Sequence, residues 1–324
     1  MNHADALMAA TEKALDAPPA AKVVPEVGIH YGVPFAEYIA WDAVNNSVLK
    51  ELPKTTPKHA RHYQVYGKET PYLAFGRLYH VLLLDPDSFD DCYVIGPEVH
   101  RNTNEWKDFA KKTTKAGKEP IKPSEHDMAV AFRDAVKKQD VYRFINKGKS
   151  EVSLVWKDDE PADVTIDIGI LGEQTFHFEP TNCLCKARMD YEHRAHQLLV
   201  DLKGVQSANP AWFPKTFFDF GYYQQAGMTS DGWEKLTGLT PAFNFVCVEK
   251  CPGAYDPKTW HFETVAYEVQ PKTMAYAQLA WRMALKRYAE CLAEGKWPGY
   301  SDGEVVPLEL DDWMLSKIAG AQYV

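Results

Sequence analysis

Residues 185–204 read Cys185-Lys-Ala-Arg188-Met-Asp190-Tyr-Glu-His-Arg-Ala-His-Gln-Leu-Leu-Val-Asp201-Leu-Lys203-Gly204. Strand side chains alternate between faces. Lys186, Arg188 and Asp190 then share one face of a first strand, with Cys185, Ala187 and Met189 on the other. In a second strand Leu199, Asp201 and Lys203 share a face, with Leu198, Val200 and Leu202 opposite. A two-residue turn at Ala195-His196 closes the pair as a hairpin with Arg194 facing Gln197. Asp190 then lies opposite Asp201, and Arg188 opposite Lys203. Cross-strand partners have Cβ atoms about 5 Å apart. Two carboxylates that close repel each other unless a cation sits between them, and a hard divalent ion is the natural choice. A slip by one residue would break this register.

The plain alternative is a surface hairpin with scattered charges, or a simple Asp201–Lys203 salt bridge. The run Leu198, Leu199, Val200, Leu202 makes the second strand a buried one, and buried strands rarely carry Asp and Lys without a role. Lys203 suits phosphodiester hydrolysis. That reaction needs an oriented water and positive charge where negative charge develops, and a Lys beside one or two Mg2+ ions supplies the latter.

Outward from this hairpin, Glu151–Trp156, Val164–Ile168 and Thr175–Phe178 alternate or are rich in β-branched and aromatic residues, and read as strands. A helix is expected over 210–235, strands over 242–250 and 260–269, and a long amphipathic helix over 272–294. Toward the N-terminus, 72–84 is a dense apolar helix stopped by Asp85-Pro86-Asp87, with Arg77 and His80 on one face. Ser47 is the expected N-cap of a short helix through Leu52, ended by Pro53 and Pro57. Residues 124–147 look helical again. Residues 1–25, Ala-rich with Pro18, Pro19 and Pro25, read as a mobile arm. The rest, 26–324, reads as one domain with a helical part (26–147) and a sheet-bearing catalytic part (150–300). The class is mixed α/β.

Composition sets limits. The 324 residues carry a net charge of −9, against the basic balance usual where DNA is held by broad electrostatic attraction. Positive charge must therefore be local, or supplied by metal. Lys107, Lys111, Lys112, Lys115, Lys118 and Lys122 form one basic run, either a solvated face or a phosphate-contacting surface. Met1–Val24 lacks a continuous apolar core, and no stretch approaches the roughly 20 apolar residues needed to cross a bilayer. A cytoplasmic protein with reduced thiols is the expectation. Cys183, Cys185, Cys247 and Cys251 could form a metal or iron–sulfur site, but the spacings are not C-x2-C pairs, and the simpler reading is apolar packing.

The segment resembles the core of PD-(D/E)xK nucleases, with Asp190 as the first acid and Asp201-Leu202-Lys203 as the (D/E)xK element. Within that superfamily four features resemble RecE-like (exodeoxyribonuclease VIII-type) exonucleases. Gly76-Arg77-Leu-Tyr-His80 through Phe89 is similar to their G-x-x-x-H helix and following turn. Cys185-Lys-Ala-Arg188-Met-Asp190 is similar to their C-(K/R)-x-R-x-D strand. Tyr222-Tyr223-Gln224-Gln225-Ala226 is similar to their Y-x-x-Q-A helix. Tyr38-x-x-Trp41 through Lys50 resembles the start of their domain. The likeness spans roughly 30–300. Tyr223 stands where a His is common, 157–181 is longer than usual, and Asp201 replaces the superfamily's more frequent Glu.

The resemblance implies a restriction-endonuclease-like core, a central mixed sheet flanked by helices. It implies an Mg2+-dependent exonuclease (Mn2+ as substitute) acting on linear double-stranded DNA, degrading the 5′-ended strand to leave 3′ tails for recombination. A ring-like homo-oligomer and a single-strand annealing protein, often encoded beside it in prophages, are the implied partners. His80, Asp190, Asp201 and the carbonyl of Leu202 would hold the metal, Lys203 would serve the water, and Gln225 and Tyr222 would support the phosphate. Read alone, His80 on an apolar helix is more often a satisfied core histidine, Gln225 and Tyr222 are packing residues, and Glu151 is a further candidate to reach the metal. Another PD-(D/E)xK endonuclease, a non-catalytic DNA-binding or assembly protein on the same fold, and a hydrolase of other phosphoesters are the competing functions.

Overall fold

The computed structural model describes residues 22–67, 71–249 and 262–320. In the N-terminal part lie β1 (Gly28–His30), α1 (Phe35–Ala40), α2 (Asn46–Leu49), α3 (Glu51–Lys54), α4 (Pro57–Tyr66), α5 (Pro71–Leu84) and α6 (Phe89–Cys92). They are followed by β2 (Tyr93–Ile95), α7 (Asn104–Lys115), β3 (Glu119–Ile121) and α8 (Pro123–Lys138). The second part holds β4 (Lys149–Lys157), β5 (Ala162–Asp167), β6 (Glu173–Phe178), β7 (Leu184–His193), β8 (Leu198–Val205), α9 (Phe213–Asp219) and α10 (Tyr222–Thr237). It ends with β9 (Ala242–Glu249), β10 (Thr264–Glu268), α11 (Pro271–Glu294) and α12 (Asp312–Gly320).

Six strands form the central sheet in the order β1-β4-β7-β8-β9-β10. Only β8 and β9 run parallel, joined through α9 and α10; the other neighbours are antiparallel. The sheet is therefore mixed. Both faces are covered, which is why β8 and β9 read as near-continuous apolar runs. On one face Leu199, Val205, Phe243 and Phe245 pack with Met228 and Trp233 of α10, Trp281 and Leu285 of α11, and Leu49 and Leu52 from α2 and α3. On the other, Val200, Leu202, Val246 and Val248 pack beneath Leu78 and Leu82 of α5 and Phe132 and Val136 of α8. The β5–β6 hairpin lies outside this sheet and rests on α11 through Val164, Ile166 and Leu279.

Several local expectations are corrected. The β7–β8 connection is not a two-residue turn. Arg194–His196 make a turn of 3-10 helix and Gln197 takes a left-handed conformation (φ 49°), yet the pairs Tyr191–Val200, Glu192–Leu199 and His193–Leu198 keep the expected register. Strict alternation along β7 fails at Asp190. Met189 lies in the core on the α10 and α11 side, whereas Tyr191, two residues on, lies beneath α5 and α8. The single helix expected over 210–235 is two, because Gly221 at φ 68° separates α9 from α10. The short helix begins two residues earlier than Ser47 implies: the Asn45 side chain accepts the Val48 N–H at 3.1 Å, and Pro53 lies inside α3 rather than ending it. The strand expected over 260–269 is Thr264–Glu268. Most of the expected N-terminal arm, residues 1–21, lies outside the described residues. Val23 is bridged to Trp41, with its N–H donating to the Ala40 carbonyl.

α10 and α11 meet at glycine. A Cβ on Gly227 would lie 2.5 Å from the Ala277 carbonyl carbon and 2.6 Å from its oxygen, whereas one on Gly76 in α5 would meet nothing within 4 Å. The two Gly→Ala changes should thus have opposite signs. Gly76→Ala gains up to about 1 kcal/mol of helix propensity. Gly227→Ala gains the same term but forces two helix backbones apart, a net loss of about 1–3 kcal/mol. Urea unfolding of both variants measures this, and equal shifts would contradict the packing described.

Candidate metal and catalytic site

β7 pairs with β4 along most of its length and β8 pairs with β9 over all of Leu198–Val205, but β7 and β8 pair at only three positions. The ladder stops just before Asp190. There the Asp190 carboxylate takes over: its Oδ2 accepts the Leu202 N–H at 2.6 Å. The strands separate beyond this point, and the charged residues gather in the notch.

α5 brings His80 to one side. Its Nε2 lies 3.1 Å from the Leu202 carbonyl oxygen and its Nδ1 3.2 Å from Asp190 Oδ1. The preceding Tyr79 fixes the same helix to β8, its hydroxyl accepting the Gly204 N–H at 2.7 Å. Glu151 enters from β4. It has φ 53°, a left-handed conformation uncommon for a non-glycine residue, and it drops out of the ladder between Ser150 and Val152. Arg188 Nε holds its carboxylate at 2.6 Å, while the same guanidinium donates to the Val33 carbonyl at 2.8 Å. Ligand atoms of His80, Glu151 and Asp190 all lie within 4.8 Å of one another, and this is the one such group of three among the described residues.

Asp201 stands beside this triple but is engaged otherwise. Its Oδ2 lies 2.6 Å from Lys203 Nζ and its Oδ1 accepts from Gln225 Nε2. Lys203 also donates to Gln225 Oε1 at 3.1 Å and sits 4.8 Å over the Tyr222 ring. The structure thus brings His80, Asp190 and Leu202 together with Glu151 on one side of the notch, and Asp201, Lys203, Gln225 and Tyr222 on the other. Sequence reasoning assigned no role to Arg188 and Tyr79, which position Glu151 and α5. The R-x-D spacing around Asp190 was the only available signal for the first, and there was none for the second.

The titration behaviour reflects crowded, buried acids. Burial and the adjacent Asp190 charge push the Glu151 carboxyl up. Burial raises Asp201 to about 6, against the pull of Lys203. Burial alone would lower His80, but the Asp190 charge overrides it and brings the imidazole to about 8. For Asp190, burial is outweighed by His80, Lys203 and the Leu202 N–H, and its carboxyl is lowered. Lys203 is raised, since the Asp201 charge exceeds the burial penalty. One imidazole and two carboxylates, with a third carboxylate and a backbone carbonyl adjacent, form an oxygen-rich donor set that fits a hard divalent cation.

Cys183, Cys185 and Cys247 are free thiols buried in the core on the α10 and α11 side; Cys251 lies outside the described residues. In the basic run, Lys118 donates to the Asp90 carbonyl and Lys122 pairs with Glu98. Lys107, Lys111, Lys112 and Lys115 are exposed on α7. Among the described residues no helix is long and apolar enough to cross a membrane.

A family model, the PDDEXK-like domain of unknown function DUF3799, matches residues 46–305. None of the curated proteins matches the chain significantly in sequence. Among solved structures, the crystal structure of a "Putative exonuclease" from Eubacterium rectale is similar in fold. It has a TM-score of 0.51 at 13% identity, covering 86% of this chain and 94% of that one. The mixed sheet flanked by helices is thus the PD-(D/E)xK nuclease fold.

Glu151, Asp201 and His80 bind protons more tightly folded than unfolded. Without a cation, the contribution of these three groups to stability is therefore greatest at low pH, while that of Asp190, whose carboxyl is lowered, is lost as pH falls below the ordinary carboxylate range. The former falls as pH rises from about 4 through about 6 for Asp201, and from 6.5 through about 8 for His80. Bound metal displaces these protons, so stabilisation by Mg2+ should grow across the same range. Thermal unfolding with Mg2+ against EDTA at pH 5, 6.5 and 8 tests this. A metal-induced rise in Tm independent of pH would place the ion elsewhere.

Proposed function

The chain belongs to this PDDEXK-like family, and on that premise we propose that it is a Mg2+-dependent exonuclease of linear double-stranded DNA, degrading the 5′-ended strand to leave 3′ tails. The observation that carries the reading is the notch between β7 and β8. There His80, Glu151 and Asp190 face one another beside the Asp201–Lys203 pair. The motif resemblance to RecE-like enzymes supports the choice of exonuclease, as does the name of the structural neighbour. With that choice go a ring-like homo-oligomer, a strand-annealing partner and a role in recombination.

His80, Asp190 and Asp201, with the Leu202 carbonyl, would hold the ion, and Glu151 completes the donor set. Bound Mg2+ supplies charge neutralisation at the scissile phosphate and a more acidic water. Lys203, whose pKa the Asp201 charge raises, offers a hydrogen-bond donor and a positive charge where negative charge develops. Gln225 bridges Asp201 and Lys203 and fixes both side chains. The Tyr222 ring bounds the ammonium on its open side. Arg188 aims Glu151 and balances its charge.

The test is digestion of linear duplex labelled at the 5′ or 3′ end, with Mg2+, Mn2+ or EDTA, beside closed circular DNA. Expected are Mg2+-dependent loss from 5′ ends, intact circles, and a fall of 10²-fold or more in rate for Lys203→Ala, in line with losing one transition-state donor. Cutting of circles would make it an endonuclease. Binding of linear DNA without cutting would make it a binding or assembly factor on the same fold.

A further inference from the structure

Hydrolysis in this notch requires a phosphate to reach side chains that are 3–21% exposed. At the end of a linear duplex the reacting strand can leave its partner and enter more deeply than the backbone of an intact double helix. Something near the notch should then hold unpaired bases.

Such a surface lies at the α9–α10 junction. Phe218 and Phe220 are 66% and 56% exposed, and each is stacked on a tyrosine of α10. Phe220 lies on Tyr222 with ring centroids 5.7 Å apart at 23°; Phe218 lies on Tyr223 at 5.6 Å and 12°. Tyr222 is the ring beneath the Lys203 ammonium and also stacks on Phe245 of β9. Phe220 is thus joined to Lys203 through Tyr222, whereas Phe218 reaches Phe245 only through Tyr223 and the tilted and edge-on contacts of Phe217. Exposed apolar rings grouped together and rimmed by polar residues mark contact surfaces more often than rings scattered singly. Their chemistry here is mixed: a Cβ at Gly221 would lie 3.4 Å from both Lys50 Cβ and Lys54 Nζ, and Lys215 is near on α9. On this face Asp219 is paired with Lys215, and Lys54 donates to the Asp219 carbonyl.

Aromatic faces interleaved with lysines suit a ligand that is itself flat, apolar and anionic along its edge. Single-stranded nucleic acid has this character: every base offers a π-face and every link a phosphate. We propose that Phe218 and Phe220, with Lys50 and Lys54, form a stacking platform that holds the unpaired end of the DNA strand beside the catalytic notch. The inference rests on the nuclease reading above and adds a binding subsite to it. A second copy of the chain covering the same rings would need no lysines and no connection to Lys203.

The test uses the full chain in EDTA, so that nothing is cut. A fluorescein-labelled 12-nucleotide single-stranded oligo(dT) and a blunt duplex of equal length are titrated with wild type, Phe218→Ala/Phe220→Ala and Phe218→Trp/Phe220→Trp. Because both rings are exposed, unfolding temperatures should match. The alanine double variant should bind oligo(dT) tenfold or more weakly, the tryptophan variant at least as well as wild type, and duplex affinity should change less. Exonuclease assays in Mg2+ should show the alanine variant slowed on blunt ends and partly restored on ends with unpaired 5′ tails. Unchanged oligo(dT) affinity in the alanine variant overturns the platform while leaving nuclease activity standing. So does a changed sedimentation coefficient with unchanged affinity, which would assign the rings to self-association. No binding and no cleavage by wild type removes both readings.

Discussion

A side chain replaces a backbone partner at one point in the sheet, and the rest of the site depends on it. The Leu202 N–H, which a continued β7–β8 ladder would give to a carbonyl, goes instead to Asp190 Oδ2. A charge-assisted bond of this kind is roughly twice as strong as a neutral one, so the ladder can end without leaving a buried donor unpaired. β7 stays with β4 and β8 with β9, and the sheet divides into two halves joined at three residue pairs. The notch between the halves is where His80, Glu151 and Asp190 gather beside the Asp201–Lys203 pair. His80 first, then Lys203 and this bond, lower the Asp190 carboxyl against the effect of burial.

Charge balance follows from the same geometry. Three acids, Glu151, Asp190 and Asp201, are paired one to one with Arg188, His80 and Lys203. Leaving any one of them buried and unpaired would cost several kcal/mol. The balance holds only while His80 is protonated. Once it loses its proton, near pH 8, the notch carries an excess negative charge. Phosphodiester substrate would add more. A divalent cation resolves both excesses, and this reconciles an acidic chain with an anionic substrate: the attraction is local to the notch rather than spread over a surface with a net charge of −9.

The hairpin was legible in the sequence because its apolar residues alternate with charges that a buried strand would otherwise exclude. The register could be counted from the turn even though the turn itself has four residues. What the sequence hid was conformation that no side-chain pattern encodes. Glu151 reaches the triple through a left-handed backbone, and glutamate carries no signature for that. Period-2 counting put Asp190 on a face with Arg188, but alternation changes sides between Met189 and Tyr191. The division of α9 from α10 depends on Gly221 at φ 68°; a lone glycine in a helical pattern is usually tolerated, so it read as continuous helix. His80 was ambiguous for a related reason. An imidazole on an apolar helix is a ligand or a core residue according to what faces it across the sheet, and that is a tertiary fact.

The two sides of the notch are delivered by helices on opposite faces of the sheet. α5, stitched to β8 by His80 and Tyr79, brings the imidazole from one face. α10, through Gln225 and Tyr222, fixes Asp201 and Lys203 from the other. Neither helix could reach the acids if β7 and β8 were zipped to their ends, because a continuous sheet would separate them by a full layer. Opening the ladder at Asp190 lets side chains from both layers meet across β8. It follows that the break at Gly221 is part of the site. It ends α9 and restarts the chain at Tyr222, so that the first turn of α10 carries Tyr222 and Gln225 together against β8. A side chain at 221 would be strained at φ 68°, while its Cβ would meet Lys50 and Lys54 at ordinary contact distance. The glycine therefore lets the first turn of the helix place Gln225 and Tyr222 against Lys203.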